Sequence, residues 1–254
     1  MITLILPISR TEYLRAVFSC LAKLIKPPDT ELIIITDGDA ALEQAVDRRL
    51  DSINFKRIQV ISFGDTPAED IDSRRYRISA IHNKAKHYLG KDCEHVMLVE
   101  DDTTYPPDAL NKMLKIINDN EKCEYVEGVE LGRRKTPYLG AWKVDNIKDP
   151  HEVISIMPSH GVQNIDAGGF YCALTNADTY RNHYFEPFDK VGRIGLSCDV
   201  NYCLYLRNQG LDCLIDHSIQ CDHIGDKGSV NLGNTTPRQV LFEKARNKWE
   251  ARTV

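Results

Sequence analysis

The eight cysteines of this 254-residue sequence include no Cys-x-x-Cys pair. Structural zinc sites use such paired spacing, so its absence argues against a zinc-binding fold. The cysteines stand singly, mostly beside apolar residues, as thiols in a protein core do. We therefore expect reduced, mainly buried cysteines and no disulfide scaffold.

Long apolar runs and a strong net charge are missing as well. No stretch approaches the roughly 20 apolar residues that cross a bilayer. The first seven residues lack the basic segment and the long apolar run of a signal peptide, and we expect a cytoplasmic protein with no membrane span. The net charge of −5 argues against attraction of the whole surface to nucleic acid or anionic lipid.

Short apolar runs alternate with amphipathic segments through the first half of the chain. Helices are expected between four buried strands and after the last of them. The predicted strands are 2–6, 31–36, 57–63 and 95–99, and the predicted helices are 12–24, 41–50, 74–89 and 107–118. Strands that are apolar on both faces indicate a parallel sheet covered on both sides. Ligands bind such sheets beyond the carboxyl ends of the strands.

The pattern changes after about residue 120. Residues 125–161 look irregular, and residues 164–175 are predicted to form one strand with a glycine pair inside it. Further elements are predicted as a helix at 198–209, a strand at 213–219 and a final helix at 237–254. Because there is no internal repeat or clear linker, we expect one domain over residues 1–254, with halves at 1–120 and 121–236.

Three adjacent acids follow the fourth predicted strand: Glu100, Asp101 and Asp102. Carboxylates this close repel one another unless a cation lies between them. Mg²⁺ and Mn²⁺ prefer carboxylate oxygens together with substrate phosphates. The segment therefore predicts a site for a hard divalent cation at the end of a strand.

This acidic segment, with the Pro-Asp-Ala-Leu helix start behind it, resembles the DxD-like motif of the family-2 glycosyltransferases. The resemblance implies an α/β fold of the GT-A (Rossmann-like) type, with a mostly parallel central sheet flanked by helices. It also implies that Glu100 and Asp101 contact a nucleotide-sugar donor and that Asp102 binds the metal.

Further positions of the first half are similar to donor-contacting positions of the same family. They are Pro7, Ser9, Arg10, Asp37, Arg77 and Asn83. The first three form a loop that packs around the base and ribose, and Asp37 matches an acid that contacts the base. Arg77 is expected to contact phosphate or base. His82 stands where the family carries an arginine, so only Asn83 is carried over from that pair.

The second half resembles the acceptor side of the family. Gly168, Gly169 and Phe170 look like the acceptor loop, where missing side chains allow a close approach to the sugar. The helix predicted at 198–209 resembles the one that carries the general base. Asp199 matches that base, while Cys198 replaces the glutamate that usually precedes it.

A late His-Ile-Gly sequence contains His223, which resembles the histidine that completes the family's metal site. Together these matches imply a hexosyl- or pentosyltransferase that depends on Mn²⁺ or Mg²⁺. Its donor would be a UDP- or GDP-sugar, and its unidentified acceptor would supply a hydroxyl. Asp199 would remove the proton of that hydroxyl in a single displacement with inversion.

Two other functions remain open. A sugar nucleotidyltransferase uses a similar sheet and metal, but it needs a glycine-rich phosphate loop, and residues 7–10 contain no glycine. A non-catalytic protein could bind a nucleotide or nucleic acid through Arg133, Arg134 and Lys135, although the acids and the histidine above disfavour it. If the protein is a glycosyltransferase, nucleic acid could be a partner only as the acceptor of the sugar. We also expect residues 132–142 to lie over the active site and help select the acceptor.

Overall fold

The structure, a computed structural model, describes residues 1–64, 71–131, 139–148, 150, 153–156, 159–186 and 197–224. Within these residues the chain forms eleven strands and six α-helices. The strands are β1 (Ile2–Ile8), β2 (Glu31–Thr36), β3 (Arg57–Ser62), β4 (His95–Val99), β5 (Thr103–Thr104), β6 (Cys123–Leu131), β7 (Trp142–Val144), β8 (Val153–Ser155), β9 (Val162–Ile165), β10 (Cys172–Asn176) and β11 (Asp212–His223). The helices are α1 (Leu14–Lys23), α2 (Ala40–Leu50), α3 (Ile71–Ala85), α4 (Ala109–Asp119), α5 (Ala177–Asn182) and α6 (Cys198–Asn208), and a 3₁₀ turn at Lys86–Tyr88 follows α3.

The main sheet has the strand order β3-β2-β1-β4-β10-β6-β11-β5, and β9 pairs with β11. Strands β1 to β4 pair in parallel, and β11 is parallel to β6. Strand β10 runs antiparallel to both of its neighbours, β4 and β6. The short strands β5 and β9 are antiparallel to β11. The predicted α/β fold with a mostly parallel sheet is confirmed.

Apolar side chains fill both faces of the sheet. Helices α1, α2 and α4 contribute buried residues to the cluster on one face, and α3, α5 and α6 contribute to the cluster on the other. Adjacent residues of β1 point to opposite faces, so Leu4 lies in the first cluster and Ile5 in the second. A strand covered on both faces must be apolar throughout, and this explains the continuous apolar runs of the first half.

Two predictions about the second half are wrong. The stretch read as irregular contains β6, a strand of nine residues between β10 and β11. Residues 164–175 form the end of β9 and most of β10 instead of one strand. The glycine pair lies in the turn between them, where the chain passes from β9, which pairs with β11, to β10, which lies between β4 and β6. The predicted helix at 237–254 and the basic stretch at 133–135 lie outside the described residues.

The eight cysteines all lie in described ranges, and none of them forms a disulfide. Seven of them are buried, so the expectation of core thiols is confirmed. Among the described helices, none has the length and apolar character that a membrane crossing requires.

Candidate active site

A cleft with a volume of 620 Å³ opens at one edge of the sheet. Its floor is built by the carboxyl ends of β1, β2 and β4, which meet there because the strands are parallel. Helix α3 and the start of α6 supply the opposite wall. The predicted site residues that line the cleft are Pro7, Ser9, Arg10, Asp37, Arg77, Glu100, Asp101, Phe170 and Asp199.

One end of the cleft carries an ion pair between the residues expected to contact the base. Arg77 Nη2 lies 2.9 Å from Asp37 Oδ2, and both side chains are largely buried. The other carboxylate oxygen, Asp37 Oδ1, is buried and has no hydrogen-bond partner among the described residues. A buried acceptor without a donor is unfavourable until a ligand supplies one. This end of the cleft therefore suits a ligand with an N–H group.

Two acids and a histidine form a cluster beside the cleft. Ligand atoms of Glu100, Asp102 and His223 all lie within 4.8 Å of one another. His223 Nε2 is 3.1 Å from Asp102 Oδ2 and 3.7 Å from Glu130 Oε1. Asp102 and His223 were the predicted metal ligands, and Glu100 was expected to contact the donor. Glu130 was not foreseen from the sequence, because the strand that carries it was not recognised.

Strand pairing brings the distant histidine to the acids. Thr103 in β5 follows Asp102 directly and pairs with His223 at the end of β11. The N–H of Ile224 donates to the backbone carbonyl of Asp102 at 2.6 Å, which fixes the two segments together. Asp102 is fully buried, and its carboxylate faces the imidazole. Two carboxylates and an imidazole are donors that Mn²⁺ and Mg²⁺ accept.

Asp101 is not part of this cluster and binds the loop after β1. Its Oδ2 accepts a hydrogen bond from the Ser9 N–H at 2.8 Å and another from the Ser9 hydroxyl at 3.2 Å. The Arg10 guanidinium donates to Asp101 and also reaches Asp102 Oδ2, 2.7 Å from its Nη2. The positively charged guanidinium of Arg10 thus contacts one oxygen of the acidic cluster. Asp101 orders the loop, which was expected to pack around the base and ribose.

Asp199 lies in the first turn of α6 and lines the same cleft as Glu100. Its Oδ1 accepts hydrogen bonds from the Ser197 hydroxyl and from the Val200 N–H, the latter at 2.9 Å. The Gly168–Phe170 turn is its neighbour, because a Cβ built on Gly169 would lie 3.7 Å from Asp199 Oδ2. Phe170 continues from this turn into the cleft.

Asn83 does not line the cleft. Its amide nitrogen donates to the Phe185 carbonyl at 2.8 Å, and its amide oxygen accepts from the Phe185 N–H at 3.1 Å. With both ends of the amide engaged, Asn83 anchors the chain after α5. Its expected contact with the donor stays a prediction.

His82, the residue beside Asn83, lines the cleft and was not among the predicted site residues. Its Nδ1 is 2.9 Å from the Tyr180 hydroxyl, and its ring packs edge-on against Phe170 with centroids 4.7 Å apart. Burial, helped by the charge of Lys86, lowers the pKa of His82 to about 3. The cleft wall at this point is therefore polar but uncharged at neutral pH.

No family model matches the sequence, and no curated protein matches it. Solved structures do match. The mannosyltransferase PcManGT from Pyrobaculum calidifontis, in complex with GDP-Man and Mn²⁺, has a TM-score of 0.61 at 13% identity, over 90% of this chain and 58% of that one. S. aureus TarS 1–349 has a TM-score of 0.54 at 12% identity, over 85% of this chain and 60% of that one.

The chain thus spans less than two thirds of the length of these two proteins. A second structure of S. aureus TarS has a TM-score of 0.55 at 14% identity, over 86% of this chain. At such identities the similarity establishes the fold alone. The chain has a GT-A-like glycosyltransferase fold.

Proposed function

We propose that this protein is a metal-dependent glycosyltransferase that moves a hexosyl or pentosyl group from a UDP- or GDP-sugar to an acceptor hydroxyl. The observation that carries the proposal is the placement of two groups around one cleft. Glu100, a member of the acid–imidazole cluster, lines this cleft together with Asp199, an aspartate at a helix start. The fold, shared with a mannosyltransferase solved with GDP-Man and Mn²⁺, supports a nucleotide-sugar donor.

Glu100, Asp102 and His223 would hold the divalent cation, Mn²⁺ or Mg²⁺. The donor set fits such an ion, and the Arg10 guanidinium on Asp102 Oδ2 indicates that this oxygen attracts a positive charge. When bound, the cation neutralises charge that develops on the departing nucleoside diphosphate. Arg10 borders the same part of the cleft and would contact the diphosphate directly.

The base of the donor would bind at the Asp37–Arg77 pair. A ring N–H would donate to Asp37 Oδ1, the buried oxygen that has no partner among the described residues. Pro7 and Ser9, in the loop after β1, would pack beside the base and ribose. The acceptor would approach along Gly168, Gly169 and Phe170, because the two glycines leave space beside Asp199.

Asp199 would act as the general base. The N–H groups at the start of α6 favour its ionised form. The carboxylate would take the proton from the acceptor hydroxyl while that oxygen attacks the anomeric carbon, and the sugar would transfer with inversion. The bond to the nucleoside diphosphate breaks as the new glycosidic bond forms.

The test is incubation of the purified protein with UDP- and GDP-sugars and Mn²⁺. Slow release of nucleoside diphosphate without an acceptor is expected, whereas pyrophosphate formed from a nucleoside triphosphate and a sugar 1-phosphate would indicate a nucleotidyltransferase. Asp199→Asn should lower sugar transfer about 10²–10⁴-fold, the usual contribution of a general base, and leave the nucleotide Kd within a few-fold.

Asp178→Asn is a matched control for this variant. Asp178 also lies in the first turn of a helix, α5, but its side chain is 84% exposed and is not among those that line the cleft. Transfer by Asp178→Asn should equal that of the wild type. Transfer by Asp199→Asn at the wild-type rate would remove Asp199 from the base role.

A further inference from the structure

Glu127 is a carboxylic acid buried in the middle of the sheet. It lies in β6, opposite Ala173 in β10 and Ile215 in β11, and none of its surface is exposed. Acids are rarely buried this completely without a cationic partner. Among the described residues, no ion pair involves Glu127. Its hydrogen-bond partners are the Tyr125 hydroxyl and the Gly169 N–H.

The hydrogen-bond geometry indicates where a proton must be. The Tyr125 hydroxyl lies 2.7 Å from Glu127 Oε2 and 2.6 Å from the Gly169 carbonyl oxygen. A phenol has one proton, so it can donate to only one of these two oxygens. Both short contacts are favourable if Glu127 carries a proton, because the acid can then donate to Tyr125 while Tyr125 donates to Gly169.

The surroundings of Glu127 also favour the protonated acid. Burial raises its pKa well above the ordinary value, and the nearby Cys203 and Asp199 raise it further. The titratable groups that face it are Tyr125 on β6, Tyr171 beside the turn, and Asp199 and Cys203 on α6. All of these are neutral or acidic, so none supplies a positive charge that would stabilise the carboxylate.

Glu127 reaches the candidate active site through the turn at residues 168–170. The Gly169 N–H donates to Glu127 Oε2 at 2.8 Å, and the Gly169 carbonyl accepts from Tyr125. Side chains of β6 therefore hold both the N–H and the carbonyl group of Gly169. Gly169 faces Asp199, and the next residue, Phe170, lines the cleft.

We infer that Glu127 is a positioning residue that stays protonated at neutral pH and, together with Tyr125, fixes the Gly168–Phe170 turn against Asp199. The role in transfer rests on the function proposed above, with Asp199 as the base. A neutral acid can hold the turn without adding a second negative charge beside Asp199, whereas an ionised Glu127 would repel it. The acid positions the acceptor side and touches no reacting atom.

Infrared difference spectroscopy tests the protonation state without any assay of activity. The wild-type minus Glu127→Gln spectrum at neutral pH should contain the carbonyl stretch of a protonated carboxylic acid. Glu124→Gln, three residues earlier on the same strand and only half-buried, is the matched control and should lack that band. A Glu127 difference spectrum with carboxylate bands alone would overturn the inference.

Transfer kinetics test the positioning role. Glu127→Gln stays uncharged but keeps only one of the two hydrogen bonds at Oε2, because no single amide atom can both donate to Tyr125 and accept from the Gly169 N–H. It should therefore lower kcat by no more than about tenfold, and Tyr125→Phe, which removes one buried hydrogen bond, should lower kcat about tenfold. The nucleotide Kd should change less than twofold in both variants. Loss of transfer in Glu127→Gln would mean that the carboxylate charge is used, and unchanged kcat in Tyr125→Phe would mean that the turn needs no anchor. Either result overturns the role, whereas a wild type that transfers no sugar refutes the proposed function and leaves the infrared result standing.

Discussion

Removal of the Arg10 guanidinium should tighten the binding of Mn²⁺ to the donor-free protein. Arg10 Nη2 lies 2.7 Å from Asp102 Oδ2, the oxygen that also faces His223 at 3.1 Å. A cation bound at Asp102 Oδ2 would compete with this guanidinium. The same side chain borders the part of the cleft that would hold the diphosphate, so displacement frees it to bind the donor.

The expected magnitude follows from Coulomb's law. Two unit charges about 4 Å apart attract by ~4 kcal/mol at an effective dielectric constant of about 20. The Arg10 side chain is 32% exposed, so solvent screening and the loss of side-chain freedom reduce the net value to ~1–2 kcal/mol. Arg10→Ala should therefore bind Mn²⁺ about 5- to 30-fold more tightly than the wild type.

Isothermal titration calorimetry of the donor-free protein with Mn²⁺ measures this change. Arg15→Ala removes the same charge from an exposed position on α1 and should leave the affinity unchanged. His223→Ala should weaken it, and the nucleotide-sugar should bind Arg10→Ala less tightly in the presence of Mn²⁺. Equal or weaker Mn²⁺ binding by Arg10→Ala than by Arg15→Ala would refute the idea that the guanidinium competes with the metal.

Two further outcomes are expected. Because burial lowers the pKa of His82 to about 3, the contribution of His82 to stability is complete above pH 6.5 and falls by about 1.4 kcal/mol per pH unit below it. In urea titrations, His82→Gln should therefore lose less stability than the wild type between pH 6.5 and 4. Equal losses in the two proteins would mean that the folded protein protonates His82. Gly168→Ala should lower the free energy of unfolding by ~1–3 kcal/mol in thermal unfolding, since its Cβ would lie 2.7 Å from Glu127 Cδ. Gly90→Ala, whose Cβ comes closer than 3 Å only to the flexible end of Met1, should cost less, and a reversed order would contradict the packing argument.

The sequence predicts the first half of the fold well because its strands are covered on both faces. Burial on both sides demands continuous apolar runs, which are easy to recognise, and β2 and β4 have the predicted bounds. Strand β6 is central too but contains Glu124 and Glu130, which are half-buried, and Glu127, which is fully buried. Tertiary contacts, such as the hydrogen bond between Tyr125 and Glu127, make the buried acid compatible with a central strand.

The sequence predicts which residues meet at the candidate site, but less well the directions in which their side chains point. Acids at strand ends indicate which residues meet at the edge of the sheet. The direction of each side chain depends on the turn after β4, which points Asp101 at Ser9 and Glu100 towards Asp102 and His223. The extension of β11 to His223 depends on its pairing with β5, a strand too short to recognise in the sequence.

The antiparallel position of β10 has a consequence for the order of folding. Strands β1 to β4 are joined by successive helices and all lie before Glu100, so they can pair before the second half of the chain takes part. Strand β10 must then find β4 and β6, and β11 can place His223 beside Asp102 only after it has paired with β6 and β5. The proposed metal ligands, Asp102 and His223, therefore come from early and late parts of this assembly. In a refolding experiment, Mn²⁺ binding should report the closure of the sheet and lag behind the formation of its parallel half.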